Sequence, residues 1–482
     1  MSRPRLALWA PASTLVLVAC ANPAGIAPSH QPTAAAALAQ TCIAATPWPA
    51  EQWWQGFGDS GLSALVEQAL ARQPSLQQAL LRVQAAQAAV DATGAAAKPQ
   101  VQFSADLTDQ HFTAKGMVPP PLAGHMSWNN DLQVGASWEL DLFGRQRAAL
   151  DSAIGLQRAA EADAQAARVL LVSQVATHWF GLARQLELQQ LAQQSLQQRE
   201  QVLNLVRQRI DAGLDSAVER HQAEGLVAQS RVELESLAQA VARERHALAE
   251  LSGQAPQALA TLTARLAPLK SRPLPAALGV DLLGRRADLV AQRWRVEAAL
   301  RDVDVARTQF YPNINLVAFF GLSSLGLDNL LNAGARNFGA GPALRLPLFE
   351  GGRLRAQLAA RSAEADAAVE GWNATLLRAL REVADEVASL QALDRQQQAQ
   401  AQANGAAESA FALALQRYQA GLGNFLSVLA ADGTVLAQRR AGSDLKARHL
   451  TAEVALARAL GGGYHATTQT SAVLPSLAAA RP

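Results

Sequence analysis

Residues 131–142 read DLQVGASWELDL, and apolar and polar side chains alternate through this stretch. The even positions carry Leu, Val, Ala, Trp, Leu and Leu. The odd positions include four strongly polar side chains, Asp131, Gln133, Glu139 and Asp141. Successive side chains of a strand point to opposite faces, so this stretch predicts a strand with one apolar and one polar face.

Three further segments predict strands. Residues 101–107 and 338–348 alternate in the same way, and residues 314–321 are more uniformly apolar. Loops over 110–130 and 322–336 would join the four strands in pairs. Aromatic residues stand at the ends of the strands, where a membrane-interface girdle is expected: Phe143, Phe310, Tyr311 and Phe349. The pattern is typical of an outer-membrane β-barrel, and a four-stranded soluble sheet packed on a helix is the competing interpretation.

Four strands are too few to close a membrane barrel. Open sheet edges are not tolerated in lipid, and bacterial barrels begin at about eight strands. The sequence therefore predicts an oligomer, which would be a dimer or a trimer on this argument alone.

Helical spacing of Ala, Leu, Gln, Glu and Arg extends over residues 146–210 and again over 353–419. At 1.5 Å per residue, each segment would be a rod of about 100 Å. A glycine follows each rod and can end it, and Ser216 or Asn424 can then cap a returning helix. Each rod and its return helix are therefore predicted to form a helical hairpin.

The chain contains this order of elements twice. RQPSL at 72–76 recurs as RRADL at 285–289, and RIDAGL at 209–214 recurs as RYQAGL at 417–422. Short repeats of a few dozen residues indicate solenoids, but a repeat of about 210 residues indicates a duplicated half-protein. Each half is expected to contribute the same elements in the same order.

The N-terminus has the composition of a secretory signal peptide. Within residues 1–19, two arginines precede an apolar stretch that is too short to span a bilayer as a helix. It ends in Leu-Val-Ala before Cys20, which resembles a bacterial lipobox, so we expect Cys20 to carry the lipid anchor. An ordinary signal peptide with an incidental cysteine is the alternative. We interpret Cys42 as structurally silent.

The remaining chain is predicted to divide into six parts. These are a lipidated tether over 20–46, an equatorial segment over 47–74, a first repeat over 75–260, a linker over 261–284, a second repeat over 285–463 and a tail over 464–482. The equatorial segment holds four clustered aromatic residues, which we expect to pack a helix against its neighbours: Trp48, Trp53, Trp54 and Phe57.

The composition argues against an enzymatic or metal site and against nucleic-acid binding. The chain has 482 residues and a formal net charge of +2, which is not the excess of positive charge that nucleic-acid binding requires. Two cysteines and eight scattered histidines leave little from which to build a metal or redox site. No phosphate-binding loop, His-Glu-x-x-His or Gly-x-Ser-x-Gly motif is present in the sequence. We expect no catalytic residue, no metal and no cofactor.

Four segments together resemble a known family. They read WELDLFGR at 138–145, DLLGRRADL at 281–289, FEGGR at 349–353 and ALGGG at 459–463. The chain from Cys20 to about Gly463 is similar to the outer-membrane factors, the TolC-like channel-tunnels, and within them to the NodT-like lipoprotein branch of RND-type efflux systems. The resemblance implies a mainly α fold with a membrane β part. In such a homotrimer, twelve strands form an outer-membrane barrel and the helical hairpins form a periplasmic tunnel.

The resemblance also implies partners at the hairpin tips. A periplasmic adaptor would meet the tips and connect the channel to an inner-membrane RND-type pump. The corresponding residues here are Gly213, Leu214, Ser216, Gly421 and Leu422. Plain turn chemistry without a partner is the simpler interpretation of the same residues.

The family closes its tunnel with tyrosine, aspartate and arginine side chains near the second tip. Tyr418 and Leu426 fit that pattern, but Ala430 and Gly433 occupy the usual aspartate and arginine positions. Asp432 is displaced by two residues, about 200° around a helix, and is expected to face elsewhere. We expect the closure to rest on packing of Tyr418 and Leu426, and to depend less on pH and salt than an ion pair would.

These observations predict an outer-membrane channel that passively conducts small molecules, such as drugs, solvents and toxic compounds, from the periplasm to the exterior. The outer-membrane channel of a type I protein secretion system is the alternative. A periplasmic coiled-coil scaffold lipoprotein would explain the rods but not the amphipathic strands or Cys20. The sequence does not identify the exported compound.

Overall fold

The computed structural model of the protein describes residues 22–33, 49–266 and 286–464. Its longer elements in chain order are α1 (Ser60–Arg72), α2 (Pro74–Ala96), β1 (Gln100–His111), β2 (Met126–Leu140), α3 (Arg145–Asp211), α4 (Ala217–Leu251), α5 (Ala287–Thr308), β3 (Asn313–Leu325), β4 (Arg336–Arg345), α6 (Arg353–Gln419) and α7 (Phe425–Ala459). The predictions for Cys20, Cys42, the signal peptide, most of the linker and nearly all of the tail lie outside the described residues.

The element order of one half is repeated in the other. Helix, two strands and two long helices follow one another as α2-β1-β2-α3-α4 and then as α5-β3-β4-α6-α7. The long helices α3 and α6 each have 67 residues, and the return helices α4 and α7 each have 35. The predicted helical hairpins are confirmed, and α6 has the predicted bounds.

Two compact units are formed from separate stretches of chain. The first unit consists of Arg82–Ala160 and Ala291–Asn373 with the described residues up to Pro32. The second unit consists of the other described residues. No helix among the described residues is long and apolar enough to cross a membrane.

The first unit contains one four-stranded sheet in the order β1-β2-β3-β4, with every neighbouring pair antiparallel. All four predicted strands are present. β2 begins at Met126, five residues before the predicted start, because the asparagines that interrupt the alternation still pair with β1. The nitrogen of the buried Asn130 side-chain amide donates to the Gly326 carbonyl at 3.1 Å, which ties this end of β2 to the residue that follows β3.

One face of the sheet is apolar, and its large side chains are exposed in the single chain. They are Val101, Phe103, Val134, Trp138, Leu316, Phe320, Phe338 and Leu344. The opposite face carries the predicted polar residues of β2, including Asp131, Gln133 and Glu139. Monomeric soluble proteins rarely expose an apolar face of this extent, and these side chains stay exposed beside the described helices of the first unit. The interpretation as a soluble sheet packed on a helix is therefore not supported.

The aromatic residues at the strand ends only partly follow the prediction. Phe143 and Tyr311 are exposed and their rings stack with centroids 5.0 Å apart, and Phe349 is exposed as well. The prediction for Phe310 is wrong, because its ring is buried in a cluster with Leu354 of α6. Phe310 and Tyr311 are consecutive in the turn after α5, so they point in different directions and only one reaches the surface.

The described N-terminal segment lies along the first part of α6. The backbone N–H groups of Ser29 and His30 each donate to the Asp366 carboxylate at 2.9 Å. His30 Nδ1 lies 2.7 Å from Glu370, and Ile26 packs against the buried cluster of α5 and α6. The segment that follows Cys20 is thus held on the helix that begins just after β4.

The second unit has its largest core around the clustered tryptophans. Trp53, Trp54 and Phe57 are buried together with Trp179 and Phe180 of α3. The predicted packing of the clustered aromatic residues is confirmed for the three that are described, and Trp48 lies outside the described residues.

Candidate functional site at the tips of the two helical hairpins

The first tip, residues 212–216, reverses the chain between α3 and α4. Gly213 has a φ of 75°, which residues other than glycine rarely adopt, and it ends α3. The Leu214 N–H donates to the Arg209 carbonyl and the Gly213 N–H to the Ile210 carbonyl, each at 2.8 Å. These two bonds are those of a Schellman motif. Ser216 then caps α4 with the Glu219 carboxylate in a capping box.

The second tip, residues 420–424, has the same backbone. Gly421 has a φ of 74°, and the Leu422 N–H donates to the Arg417 carbonyl at 2.8 Å. Asn424 caps α7, with its side-chain oxygen accepting from the Ser427 N–H at 3.0 Å. Corresponding residues of the two tips therefore lie in equivalent positions.

Four large apolar side chains project from the tips without cover, and we call them the apolar tip quartet. Leu214 and Val218 of the first hairpin are 65% and 61% exposed. Their counterparts at the offset of 208, Leu422 and Leu426, are 72% and 64% exposed. Large apolar side chains left exposed at a capped turn are typical of a protein-interaction site.

A buried polar network, the tip network, joins the two hairpins directly beneath these side chains. Tyr418 is fully buried, and its hydroxyl donates to Asp215 Oδ2 at 2.5 Å. Arg209 Nε donates to the same oxygen at 2.9 Å, and its Nη1 donates to the Tyr418 carbonyl at 3.1 Å. The Arg209 guanidinium also stands 4.4 Å from the centre of the Tyr418 ring. The network thus links α3, the first tip and α6.

Burial and hydrogen bonding set the protonation states of this network. Burial works to raise the pKa of Asp215, but the bonds from Arg209 and Tyr418 outweigh it and the pKa is lowered. Burial and the bond to Asp215 both raise the pKa of the Tyr418 hydroxyl. At neutral pH, Asp215 is therefore a carboxylate that accepts from a charged Arg209 and a neutral Tyr418.

A second tie lies farther from the tips. Arg199 of α3 donates from Nη2 to Asp432 of α7 and from Nη1 to Ser230 of α4, each at 2.9 Å. The Arg199 and Asp432 side chains are only 11% and 14% exposed. This pair gives Asp432 a partner inside the chain.

Comparison with known proteins identifies the group to which these hairpins and strands belong. The profile of the outer membrane efflux proteins matches residues 65–254 and 278–462. The chain belongs to the outer membrane efflux protein family. The multidrug resistance outer membrane protein MdtQ of Escherichia coli is 32% identical over 458 residues, which cover 92% of this chain and 96% of MdtQ.

Other relatives agree with this assignment to the outer membrane efflux proteins. The fusaric acid resistance protein FusA of Burkholderia cepacia is 37% identical over 368 residues, which cover 74% of this chain and 69% of FusA. Among solved structures, the outer membrane protein VceC of Vibrio cholerae has a TM-score of 0.81 at 35% identity, covering 87% of this chain and all of VceC (100%).

The structure brings the predicted tip residues of this efflux protein together at two surfaces. Gly213, Leu214 and Ser216 are exposed at the first tip, and Gly421 and Leu422 are exposed at the second. Their role in binding an adaptor stays a prediction.

The three predicted gate residues have different surroundings. Tyr418 is buried in the tip network, Leu426 is exposed in the apolar tip quartet, and Asp432 is paired with Arg199. Within one chain, Tyr418 packs against Phe425. Their role in closing a tunnel stays a prediction.

Sequence reasoning missed the partners of these residues. Asp215 and Arg209 are six positions apart on either side of the first glycine turn, and Arg199 is nearly three helical turns before Arg209. One signal was available: the repeat aligns Asp215 with Gly423, so only the first tip has a carboxylate at this position.

Proposed function

We propose that this chain is the outer-membrane channel of a tripartite efflux pump and that it passively conducts small molecules from the periplasm to the exterior. The amphipathic sheet with its exposed apolar face is the observation that carries the proposal, because this face suits lipid and the polar face suits a water-filled lumen. The relatives named for multidrug and fusaric acid resistance favour a small-molecule cargo over a secreted protein.

Closure of the barrel requires further copies of the chain. β1 and β4 are the outer strands of the sheet, and each has one neighbour in the order β1-β2-β3-β4. Pairing of β1 from one copy with β4 of the next would satisfy both edges, and three copies would give twelve strands. A homotrimer is the assembly that we propose.

Lipid on Cys20 would fix the chain to the outer membrane. Support comes from the segment that follows it, since Arg355 in the first turn of α6 donates to the backbone carbonyl of Asn22. The lipid anchor would thus lie near the start of α6 and the membrane strands that precede it.

The apolar tip quartet is the proposed docking surface for a periplasmic adaptor that links the channel to an RND-type pump. Its members are exposed, apolar and held by capped turns, which limits the conformational entropy lost on binding. The tip network and the pair between Arg199 and Asp432 would hold the two hairpins together until the adaptor engages.

A double variant tests this proposal in a bacterial strain that lacks its own efflux channel but supplies an adaptor and pump. The natural chain is expected to restore resistance to an exported drug. Leu214→Ser with Leu422→Ser should abolish that gain while leaving heat-resistant oligomers in detergent unchanged. Met117→Ser, at a fully exposed residue in the loop between β1 and β2, is the control and should retain resistance.

Two results would count against the proposal. A natural chain that forms no conducting pore in a lipid bilayer would exclude the channel. Full resistance in the double variant would exclude the leucines as the adaptor contact while leaving the channel intact.

A further inference from the structure

One aromatic side chain lies on the polar face of the sheet. The strand register has no bulge, so each residue can be assigned to a face. Most side chains on the polar face are hydrophilic, including Gln102, Ser104, Asp106, Asp131, Gln133, Ser137, Glu139, Asn315, Ser323 and Asn337. Within the four described strands, Phe319 of β3 is the one aromatic residue on this face.

Phe319 is surrounded by small residues. Its partners across the sheet are Gly135 of β2 and Gly339 of β4. Its same-face neighbours along β3 are Val317 and Gly321, two residues away in each direction. No bulky side chain therefore stands beside the ring on its own strand or directly across from it.

The ring occupies the space that a side chain at Gly339 would need. A Cβ atom added to Gly339 would lie 2.9 Å from Cε1 and from Cζ of Phe319, closer than real Cβ atoms come. Gly339 does not have a positive φ, so its backbone conformation does not require glycine. Glycine at 339 instead leaves room for the Phe319 ring, which lies across β4. A Cβ atom at Gly135, on the other side, would not contact the ring.

We infer that Phe319 is a contact surface for planar aromatic solutes on their way through the barrel, a role that rests on the proposed channel function. In a trimer, three copies of the ring would stand at one height on an otherwise hydrophilic lining. A flat ring with small neighbours can be stacked on by a passing aromatic group, and its face attracts organic cations. Phe319 would slow such solutes relative to aliphatic ones and so affect selectivity.

A purely structural role predicts something different. Aromatic rings that cover a glycine on a neighbouring strand can stabilise strand pairing. If that were the whole role, removing the ring would weaken the oligomer, and solutes would pass as before. The two roles therefore differ in a measurement on assembled channels.

The test uses the purified full chain in planar lipid bilayers. Tetraphenylphosphonium and tetraethylammonium carry the same charge, but only the first has aromatic rings. In the natural channel, tetraphenylphosphonium should block the ion current for longer. Phe319→Ser should shorten these blocks about five-fold, as expected from the loss of an aromatic contact. Blocks by tetraethylammonium should be unchanged.

Two variants serve as controls. Phe319→Tyr keeps the ring and should keep the long blocks. Val317→Ser makes a similar polar change on the same face of the same strand, and it should also keep them. If Phe319→Ser does not assemble, Phe319→Leu takes its place and should shorten the blocks by about three-fold.

Block durations that match those of the natural channel in an assembled Phe319→Ser or Phe319→Leu variant would overturn the inference. Equal shortening by Val317→Ser would overturn it too, because general polarity would then explain the effect. Failure of the proposed function is distinguishable, since a natural chain without ion conductance would be detected before any solute is added.

Discussion

The two hairpin tips share a backbone but differ in the side chains beneath it. Both end a 67-residue helix with a glycine near φ 75° and the same pair of turn hydrogen bonds. In the first hairpin, Arg209 pairs with Asp215 across the turn. In the second, the equivalent arginine is Arg417, which is exposed, and the equivalent of Asp215 is Gly423.

The difference indicates how a duplicated chain can join its two halves. Each half keeps the turn that it needs in order to fold. The carboxylate occurs in one half only, and an aromatic residue stands in the other, Tyr418 where the first half has Ile210. The tip network therefore forms between the hairpins and not within each of them.

Removal of the Tyr418 ring should have the largest effect on the tip network. Tyr418→Ala leaves a cavity beside Phe425 and removes the ring against which Arg209 packs. We expect the tips to lose about 3–5 kcal/mol of local stability, the usual cost of truncating a buried aromatic residue. Hydrogen exchange of tip amides in the full chain measures this loss. Leu426→Ala removes an exposed side chain and should change exchange little, so equal effects would contradict the packing seen here.

Loss of the negative charge of Asp215 should have the next largest effect on the tip network. Asp215→Asn keeps the shape of the side chain but leaves the guanidinium of Arg209, which is 13% exposed, without its carboxylate. We expect a loss of about 1–3 kcal/mol, measured by the same hydrogen exchange. Arg417→Ala removes the exposed charge at the second tip, which has no carboxylate at the position equivalent to Asp215, and it should cost much less. A similar cost at both positions would indicate that the two tips are equivalent after all.

Lowering the pH should reproduce part of the stability loss expected for Asp215→Asn. The pKa of Asp215 is lowered in the folded chain, so its contribution is present above the usual carboxyl pKa of about 4 and is lost as the pH falls through the folded pKa. The pKa of Tyr418 is raised, so its contribution is present below about pH 10 and is lost as the pH rises through the folded pKa.

Tip exchange, corrected for its intrinsic pH dependence, should therefore be constant between pH 5 and 9, about a unit inside each limit, and should accelerate below about pH 4. Asp215→Asn should show no such acid step. A marked acceleration between pH 7 and pH 5 in the natural chain would point to a different titrating group.

Much of this fold could be predicted because local patterns determined it. The spacing over 353–419 gave both ends of α6, since glycines before and after it end the regular pattern. The start of β2 could not be predicted, because Asn129 and Asn130 read as turn residues. They extend the strand only because β1 lies opposite them and Gly326 accepts from Asn130.

The site was less predictable because its contacts join residues that are far apart in sequence. Tyr418 could be singled out from a resemblance, but its partner Asp215 lies 203 residues earlier. Nothing local to either residue indicates the pairing. The displaced position of Asp432 predicted that it faces elsewhere, whereas its pairing with Arg199 depends on how α3 and α7 pack.

Substitution of the turn glycines should have a moderate and equal effect. Gly213→Ala and Gly421→Ala each force a side chain into the left-handed region, and no atom lies within 4 Å of the added Cβ at either site. The cost is then set by the backbone alone, about 1 kcal/mol at each tip. Exchange of the amides in the last turns of α3 and α6 should rise about five-fold in the respective variants. A cost at only one tip would contradict the equivalence of the two backbones.

The smallest effect is expected when the missing carboxylate is restored to the second tip. Gly423 does not have a positive φ, and a Cβ there would lie 3.4 Å from the Cβ of Arg417, so Gly423→Asp can be accommodated next to that arginine. Arg417 is exposed, however, and an exposed ion pair contributes about 0–1 kcal/mol. We expect tip exchange to change by less than about two-fold, and the variant should not rescue Asp215→Asn, because the new carboxylate has no buried guanidinium to bind. If Gly423→Asp did restore slow exchange around Tyr418 in the Asp215→Asn background, the network would depend on the charge count at the tips and not on burial of the pair between Arg209 and Asp215.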